Sequence, residues 1–252
     1  MRVLIAGGSG LVGSRVARQL QGMGHDVVVA SRRDGVDVIT GEGLSEAMRG
    51  IDTVIDVLNI DTFDKDEAVA FFGGTTDNLL AAEEAAGVDH HVALSIVGID
   101  GIPDNGYYVG KTVQERQVVY GKTPFSILRA TQFQEFLPQI ANWYTVNGEV
   151  RLPPDMLLQP VAVDEVVSTL VELATSPALE GGIVQLAGPD CVPLIEAVRG
   201  ALTARGDDRQ VVADTAVRAF NADDPEALLP VAPYRRGTRT LTEFEEVLRS
   251  RA

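Results

Sequence analysis

The stretch Gly7-Gly8-Ser9-Gly10-Leu11-Val12-Gly13 decides the fold. It follows the short apolar run of residues 3–6, which is typical of a buried parallel strand. It opens a segment in which Val12, Val16 and Leu20 recur every four residues and predict a helix. A glycine turn between a strand and a helix lets backbone amides approach a pyrophosphate, whose charge the helix N-terminus stabilises. The residues that we expect at that pyrophosphate are Gly7, Gly10, Leu11, Val12 and Gly13.

Strands and helices alternate along the rest of the chain. Further strands are predicted at residues 27–30, 36–39, 53–58, 92–96, 125–128, 183–186 and 211–213. Helices are predicted at residues 44–48, 66–86, 112–119 and 193–204, from residue 164 onward, and near the end of the chain, where Thr242 and Glu245 are expected to form a capping box.

This alternation is typical of a parallel sheet with right-handed crossovers. We therefore expect an α/β fold, a Rossmann doubly wound parallel sheet with a small C-terminal substrate lobe. Residues 1–133 are expected to form the dinucleotide-binding Rossmann core. Residues 134–252 are expected to be a mixed segment that completes the sheet and forms the substrate lobe.

The composition excludes several classes of partner. Lys and Arg total 21 against 36 Asp and Glu, which gives a formal net charge of −15. So acidic a chain is repelled by nucleic acid and by anionic membranes, and we expect it to bind neither. Its three histidines show no metal-ligand spacing, so no metal site is predicted, and the single cysteine, Cys191, allows no internal disulfide. These features favour a cytoplasmic protein, as a monomer or an oligomer.

The end of the second predicted strand indicates which dinucleotide binds. It reads Ala30-Ser31-Arg32-Arg33, with no acid to accept a hydrogen bond from the ribose 2′-hydroxyl of NAD. An arginine at this position can bind a 2′-phosphate through two hydrogen bonds. We therefore expect NADP(H) as the cofactor, with Ser31 and Arg32 at its 2′-phosphate. Two alternatives stay open: the arginines are solvated turn residues, or Asp34 approaches the ribose.

A candidate catalytic set follows the strand predicted at 92–96. Tyr107 and Lys111 lie four residues apart, so on a helix they share a face. An ammonium group near a phenol lowers the pKa of the phenol and makes it a usable acid–base group. Ser95, near the end of that strand, is expected to hold a substrate carbonyl. The alternatives are that Ser95 lies too deep to meet a substrate and that Tyr107 only packs.

Five segments in this order resemble a known family. They read GGSGLVG at 7–13, AGVDHHVALSIVG at 86–98, YYVGK at 107–111, ILRATQF at 127–133 and QPVAVDEV at 159–166. Together they resemble the atypical short-chain dehydrogenases/reductases of the NmrA-like, NAD(P)H-binding kind.

The resemblance implies a role for each matching position. Gly7, Gly10 and Gly13 would bind the pyrophosphate, and Ser31 and Arg32 the 2′-phosphate. Tyr107 and Lys111 would be the catalytic pair, with Lys111 also contacting the nicotinamide ribose, and residues 130–132 would line the nicotinamide pocket. Extended relatives often carry Asn at a position that here is Phe72, and many relatives of this kind have incomplete active sites.

The residues after the last strand of the core predict the substrate. Phe133, Phe136, Trp143, Tyr144 and Met156 indicate an apolar pocket, although each is also an ordinary core residue. Three functions stay open. The first is an NADP-dependent reductase or dehydrogenase of a small carbonyl or quinone-like molecule. The others are a non-catalytic NADP-binding redox sensor of NmrA type and an NAD(P)-dependent epimerase or dehydratase.

Overall fold

The computed structural model describes residues 1–179 and 182–250, so the predicted lobe boundary at residue 252 lies outside the described residues. The strands are β1 Arg2–Ala6, β2 Asp26–Ala30, β3 Thr53–Asp56, β4 His90–Ile96, β5 Phe125–Ala130, β6 Thr145–Val146, β7 Glu149–Leu152, β8 Leu157–Leu158, β9 Ile183–Ala187, β10 Val192–Pro193, β11 Val211–Ala213 and β12 Arg235–Arg236. The α-helices are α1 Gly13–Gly22, α2 Leu44–Ala47, α3 Lys65–Ala86, α4 Gly106–Tyr120, α5 Leu137–Trp143, α6 Val163–Ala174, α7 Leu194–Ala204 and α8 Leu241–Arg249.

The main sheet has seven strands in the order β12-β9-β5-β4-β3-β1-β2. Each neighbouring pair is parallel. The strand order reverses at β1, because the chain goes from β1 to β2 on one side and then to β3 on the other. A crevice opens beyond the carboxyl ends of strands at such a reversal, and ligands bind there in open α/β sheets. The predicted Rossmann-type doubly wound α/β fold is confirmed.

Helices cover both faces of this sheet, which explains the apolar run in β1. Val3 and Ile5 pack in one cluster with side chains of α1 and α6. Leu4 and Ala6 point to the other face and pack with side chains of α2 and α3. Successive strand residues face opposite sides, so a strand that is covered on both sides is apolar at every position.

The second half of the chain builds its own core beside the sheet. Side chains of α5, α7 and α8 pack with β7 and β8 in one apolar cluster, which also takes in Phe220 and Leu228. Two small sheets border it, one of order β11-β7-β6 and one of order β10-β8. β9 and β12 instead join the main sheet beyond β5.

Three predicted elements differ from the structure. Residues 36–39 form no strand, because Asp37 makes a single antiparallel bridge to Glu42 and no further pairing, so the strand before the candidate catalytic residues is the fourth. Helix α4 begins at Gly106 rather than at residue 112, because the Asn105 side chain caps it. The capping box of α8 is Thr240 with Glu243, not Thr242 with Glu245, since the helix already begins at the buried Leu241.

Helices α3 and α4 pack closely because Gly110 has no side chain. A Cβ atom there would lie 2.8 Å from the carbonyl oxygen of Ala68 and 2.8 Å from the Phe72 ring. We predict that Gly110→Ala lowers the free energy of unfolding by about 1–3 kcal/mol, because neither backbone nor ring can give way freely. Urea denaturation measures the loss.

The matched control is Gly74→Ala. Gly74 lies on the exposed side of α3, and a Cβ atom there meets nothing within 4 Å. This substitution should instead raise stability by up to about 1 kcal/mol, since alanine favours a helix interior. Equal stability of the two variants would contradict the close α3–α4 contact.

Candidate functional site

One cavity of about 650 Å³ runs along the carboxyl ends of the strands, from the glycine turn to the C-terminal core. The predicted site residues on its wall are Gly7, Gly10, Leu11, Val12, Ser31, Arg32, Ser95, Tyr107 and Lys111. Gly13 alone of the predicted set is not on the wall. The topology therefore brings side chains from β1, β2, β4 and α4 to a single opening.

The three glycines of the turn answer to different constraints. Gly7 has φ +84°, and a Cβ atom on it would lie 2.7 Å from the carbonyl oxygen of Val57. A Cβ atom on Gly13 would collide with the carbonyl of Gly7, so Gly13 serves the contact between turn and helix. At the exposed Gly10, a Cβ atom would meet only the Gly7 oxygen, at 3.3 Å. The fold itself therefore requires Gly7 and Gly13, whereas a Cβ atom at Gly10 would make one tight contact without a clash.

The first turn of α1 follows the exposed Gly10 and has no side-chain cap. Its N-cap residue is Val12, which makes no side-chain hydrogen bond, and the first turn contains no acidic residue. The first amides of a helix need partners and carry a partial positive charge. The turn is therefore suited to an anionic group such as a diphosphate.

The carboxyl end of β2 places Ser31 and Arg32 on the cavity wall, while Arg33 and Asp34 are not on it. The Ser31 hydroxyl donates a hydrogen bond to Asp34 Oδ2 at 2.5 Å. Arg32 is exposed and free to turn toward a ligand. Asp37, which the sequence prediction missed, also lies on the wall, where its Oδ1 accepts a hydrogen bond from the Ile39 amide at 2.9 Å.

Tyr107 and Lys111 both line the cavity, but their polar atoms have different partners. The Tyr107 hydroxyl donates to Asn59 Oδ1 at 2.8 Å. The Lys111 Nζ donates to the Leu94 carbonyl at 2.7 Å and to Gln114 Oε1. The side chains share a helix face, as the spacing predicts, and Asn59 is a neighbour that the sequence prediction missed.

The pKa of Tyr107 contradicts one expectation. Burial raises this pKa above its ordinary value, whereas the sequence led us to expect that Lys111 would lower it. Lys111 does not offset the effect of burial, and its ammonium group donates to Leu94 and Gln114 rather than to Tyr107. Burial also lowers the pKa of Lys111, to about 8, although the negative charges of Asp56 and Glu115 act in the opposite direction. At neutral pH the structure therefore holds a neutral phenol and a charged lysine.

The Phe72 ring of α3 contacts both Tyr107 and Lys111. This fully buried ring lies 4.7 Å from Lys111 Nζ and packs edge-on against the Tyr107 ring, with 5.4 Å between centroids. An aromatic face attracts a cation, so Phe72 stabilises the ammonium group where a relative with Asn would offer a hydrogen bond.

Ser95 and Gln132 each present a buried polar atom without a partner. Ser95 Oγ and Gln132 Oε1 make no hydrogen bond to the described residues, although both side chains are on the cavity wall. The Gln132 amide nitrogen donates to the Tyr108 hydroxyl at 3.2 Å. Buried polar groups are nearly always hydrogen-bonded, and a ligand would reach these two buried atoms only if their side chains turn toward the cavity.

The far end of the cavity is aromatic, as predicted, but the set of residues differs. Phe133, Phe136 and Trp143 line it, together with Phe63, Phe71, Ile140 and Phe220. Tyr144 and Met156 are not on the wall, because both pack into the C-terminal core, where the Tyr144 hydroxyl accepts a hydrogen bond from the Phe220 amide. Phe63 follows β3, and its position beyond a strand end is the signal that could have found it.

The charged residues on the wall are Arg32, Asp37, Asp61 and Lys111 among the described residues. In residues 1–179 and 182–250, no three His, Cys, Asp or Glu side chains are grouped to hold a metal ion. Within the same ranges, the helices are too short or too polar to span a bilayer.

Comparisons with known proteins agree with this architecture. Residues 3–95 match the model of the NAD dependent epimerase/dehydratase family. Epimerase family protein SDR39U1 of Mus musculus is 47% identical over 47 residues, which are 19% of this chain and 16% of that relative. The match thus spans a small part of the relative's length.

Two solved structures are similar over nearly the whole chain. The dTDP-4-dehydrorhamnose reductase of Bacillus anthracis str. Ames, in complex with NADP, gives a TM-score of 0.70 at 15% identity, covering 98% of this chain and 97% of that one. The UDP-glucuronic acid 4-epimerase of Bacillus cereus, in complex with UDP-glucuronic acid and NAD, gives a TM-score of 0.73 at 16% identity. The match covers 99% of this chain and 98% of that one. At these identities the likeness establishes the fold.

Proposed function

We propose that the chain is an NADP(H)-dependent oxidoreductase of the short-chain dehydrogenase/reductase superfamily, of its NmrA-like branch. Its substrate would be a small, apolar carbonyl or quinone-like molecule. The observation that carries this proposal is the single cavity, which joins the glycine turn to Ser95, Tyr107 and Lys111 and ends in an aromatic wall. In this proposal residues 1–133 bind the cofactor and residues 134–252 form the substrate lobe.

The residues present fit a dinucleotide. The exposed backbone at Gly10 and the first turn of α1, which has no side-chain cap, suit its diphosphate, and Arg32 suits a 2′-phosphate. When bound, NADP(H) supplies or accepts a hydride at its nicotinamide ring. Among the chain's own groups, the unpartnered Ser95 hydroxyl would orient the substrate carbonyl. Tyr107 would give up its hydroxyl proton to the carbonyl oxygen.

The protonation state of Tyr107 suits proton donation in the reductive direction, although burial also makes this tyrosine a weaker acid. Burial raises the pKa of this tyrosine, so at neutral pH it is a phenol with a proton to donate. The hydrogen bond to Asn59 holds the hydroxyl at the cavity wall until a carbonyl replaces Asn59 as acceptor. Tyr107 is thus the general acid of a reductase in this account.

The preference for NADP(H) rests on Arg32. No acid follows directly at the end of β2, and Arg32 reaches the wall while Asp34 does not. Since the Ser31 hydroxyl already donates a hydrogen bond to Asp34, a 2′-phosphate would depend on Arg32 for binding. Asp37 argues against this preference, because a carboxylate on the wall would repel a 2′-phosphate. One of its oxygens already accepts a hydrogen bond from the Ile39 amide.

The charge distribution separates this reading from a nucleotide-sugar epimerase or dehydratase. The family match over residues 3–95 favours that second candidate. A nucleoside diphosphate requires cationic or amide donors at the substrate end. That end of the cavity is lined by seven apolar residues and by the exposed Gln139 of α5, so its side-chain donors are the Trp143 indole N–H and the Gln139 amide. Because none of these lining residues is cationic and most are apolar, we favour a neutral, apolar substrate, with Gln139 as the group that a nucleotide sugar would have to use.

The cofactor preference can be measured by calorimetric titration. We predict that NADPH binds at least about tenfold tighter than NADH, a difference of about 1.4 kcal/mol. Arg32→Ala should remove most of this difference, because it removes the cation that pairs with the 2′-phosphate. Arg33→Ala is the matched control and should leave the difference unchanged, since Arg33 is not on the cavity wall. Equal or tighter binding of NADH by the unaltered chain would overturn the preference.

The glycine turn gives a second prediction. Gly10→Val should abolish NADPH binding while the protein stays folded, because the valine side chain would cover the exposed surface where we propose that the diphosphate binds, and its Cβ atom would contact the Gly7 carbonyl oxygen at 3.3 Å without a clash. Gly22→Val, at the other end of α1, is the control, since a Cβ atom there meets nothing within 4 Å. Circular dichroism checks folding, and tryptophan fluorescence titration measures binding. A folded Gly10→Val protein with unchanged affinity would contradict the proposed diphosphate site.

The chemical step gives a third prediction. Tyr107→Phe keeps the ring but removes the proton donor, so kcat should fall by about 10²–10⁴-fold while NADPH still binds. Loss of NADPH absorbance with a panel of aldehydes, ketones and quinones measures turnover. Tyr108→Phe is the control and should stay near the unaltered rate, since its hydroxyl is bound to Gln132.

Two outcomes of this assay argue against the proposal. Turnover by Tyr107→Phe at the unaltered rate would remove Tyr107 from the mechanism. NADPH binding without oxidation by any compound of the panel would favour the redox-sensor alternative over an enzyme.

A further inference from the structure

A buried polar chain lies behind Lys111, on the side away from the cavity. Gln114 accepts from Lys111 Nζ through Oε1, and its Nε2 donates to Asp56 Oδ2 at 2.7 Å. Asp56 Oδ1 accepts from the Leu58 amide at 3.0 Å. The exposed fractions are 3% for Lys111, 1% for Gln114 and 0% for Asp56. All three side chains are therefore removed from water, where charges are costly unless compensated.

The direction of the Gln114 amide is set by charge. An ionised carboxylate only accepts hydrogen bonds, and an ammonium group only donates them. Gln114 must therefore turn its nitrogen to Asp56 and its oxygen to Lys111, as observed. A carboxamide does not release protons at neutral pH, so this chain orders charges rather than conducting protons.

Other charged groups near Lys111 are already paired. Glu115, the next residue to Gln114 on α4, binds Arg129 through both oxygens, at 2.6 to 3.1 Å. Arg129 also binds Asp100 at 2.6 Å. Asp56 therefore remains as the anion without a cation in direct contact among the described residues.

On the far side of Asp56, β4 contributes His91. Its Nδ1 lies 2.7 Å from Glu83 Oε1 of α3, and both side chains are fully buried. Burial lowers the pKa of His91, but the charges of Glu83 and Asp56 outweigh it, so this pKa is raised. The buried anions Glu83 and Asp56 thus both favour the charged form of His91, and Asp56 also favours the charged form of Lys111.

We propose that Asp56 is a positioning residue that acts through Gln114: it supplies the negative charge that keeps Lys111 charged and holds the ammonium group beside the cavity. Two of the three N–H donors of Lys111 go to Leu94 and Gln114. The third is left for a ligand on the cavity wall, where Lys111 lies. Only the use of that third donor rests on the proposed function, whereas the charge of Lys111 can be measured without cofactor or substrate.

Nuclear magnetic resonance titration of the lysine side chains tests the proposal directly. The chain has three lysines, Lys65, Lys111 and Lys122, and the other two are exposed and serve as internal references. In the unaltered protein Lys111 should titrate with a pKa of about 8. In Asp56→Asn the pKa should fall by about one unit or more, because removing a nearby negative charge disfavours the charged form.

Two variants of Gln114 test the proposal if Asp56→Asn does not fold. Gln114→Glu places a carboxylate on Lys111 itself and should raise its pKa, whereas Gln114→Leu breaks the link to Asp56 and should lower it. Gln117→Leu is the matched control: Gln117 lies one turn further along α4, donates to Gly73 and Asp77, and should leave Lys111 unchanged. Unshifted Lys111 titration in the folded Asp56 and Gln114 variants would overturn the proposal.

The pH dependence of NADPH binding tests the link to the cofactor separately. Affinity should fall as the pH rises through the Lys111 pKa, and in Asp56→Asn this fall should begin at a correspondingly lower pH. A Lys111 shift without any NADPH binding would support the role of Asp56 and contradict the proposed function. NADPH binding with identical pH profiles in both proteins would contradict the positioning role and leave the function standing.

Discussion

The structure depends on one close contact, where the start of α1 lies against the turn after β1. Gly13 meets the Gly7 carbonyl there, and Gly7 meets the Val57 carbonyl after β3, with no room for a side chain at either position. This contact brings the ends of β1 and β3 together with the first amides of α1. Because the strand order also reverses there, the sheet opens beside those amides. The position of the site thus follows from a packing requirement of the backbone.

The contact between α3 and α4 imposes a similar constraint on the chemistry. Gly110 lets the two helices approach, and this approach places the Phe72 ring under Lys111. Lys111 then loses water on every side except the cavity, so its charge depends on Gln114 and Asp56. A glycine inside the Tyr-x-x-x-Lys segment is therefore part of the electrostatics of the site. The spacing of Tyr107 and Lys111 alone does not determine the charge environment of Lys111.

Local patterns in the sequence predict most of the fold. The apolar runs and the glycine turn predict β1, α1, β2 and the parallel sheet, because these signals depend on neighbouring residues. The strand predicted at residues 36–39 is wrong. Val36 and Val38 are buried in a loop there, and two buried valines in a loop give the same sequence pattern as a short strand.

The site was predicted less completely, for a physical reason. The predicted residues that reach the cavity do so for local reasons: Gly7 and Ser31 directly follow strands, Ser95 lies near the end of β4, and Lys111 shares a helix face with Tyr107. Phe220 and the partners of Lys111 depend on tertiary packing, which one sequence does not display. Asp56 was nevertheless visible as an acid within an apolar strand, and a buried charge requires a partner. Tyr144 was misplaced because an aromatic side chain after a strand end serves a core as readily as a pocket.

The most direct test of the account is a crystal structure of the chain with NADP⁺. The account predicts the diphosphate at Gly10 and the first turn of α1, the 2′-phosphate at Arg32, and the nicotinamide between Ser95 and the aromatic wall. Its C4 atom should face the Tyr107 hydroxyl, with Lys111 donating to the adjoining ribose. A dinucleotide bound elsewhere, or a nicotinamide whose C4 atom faces away from Tyr107, would contradict the account.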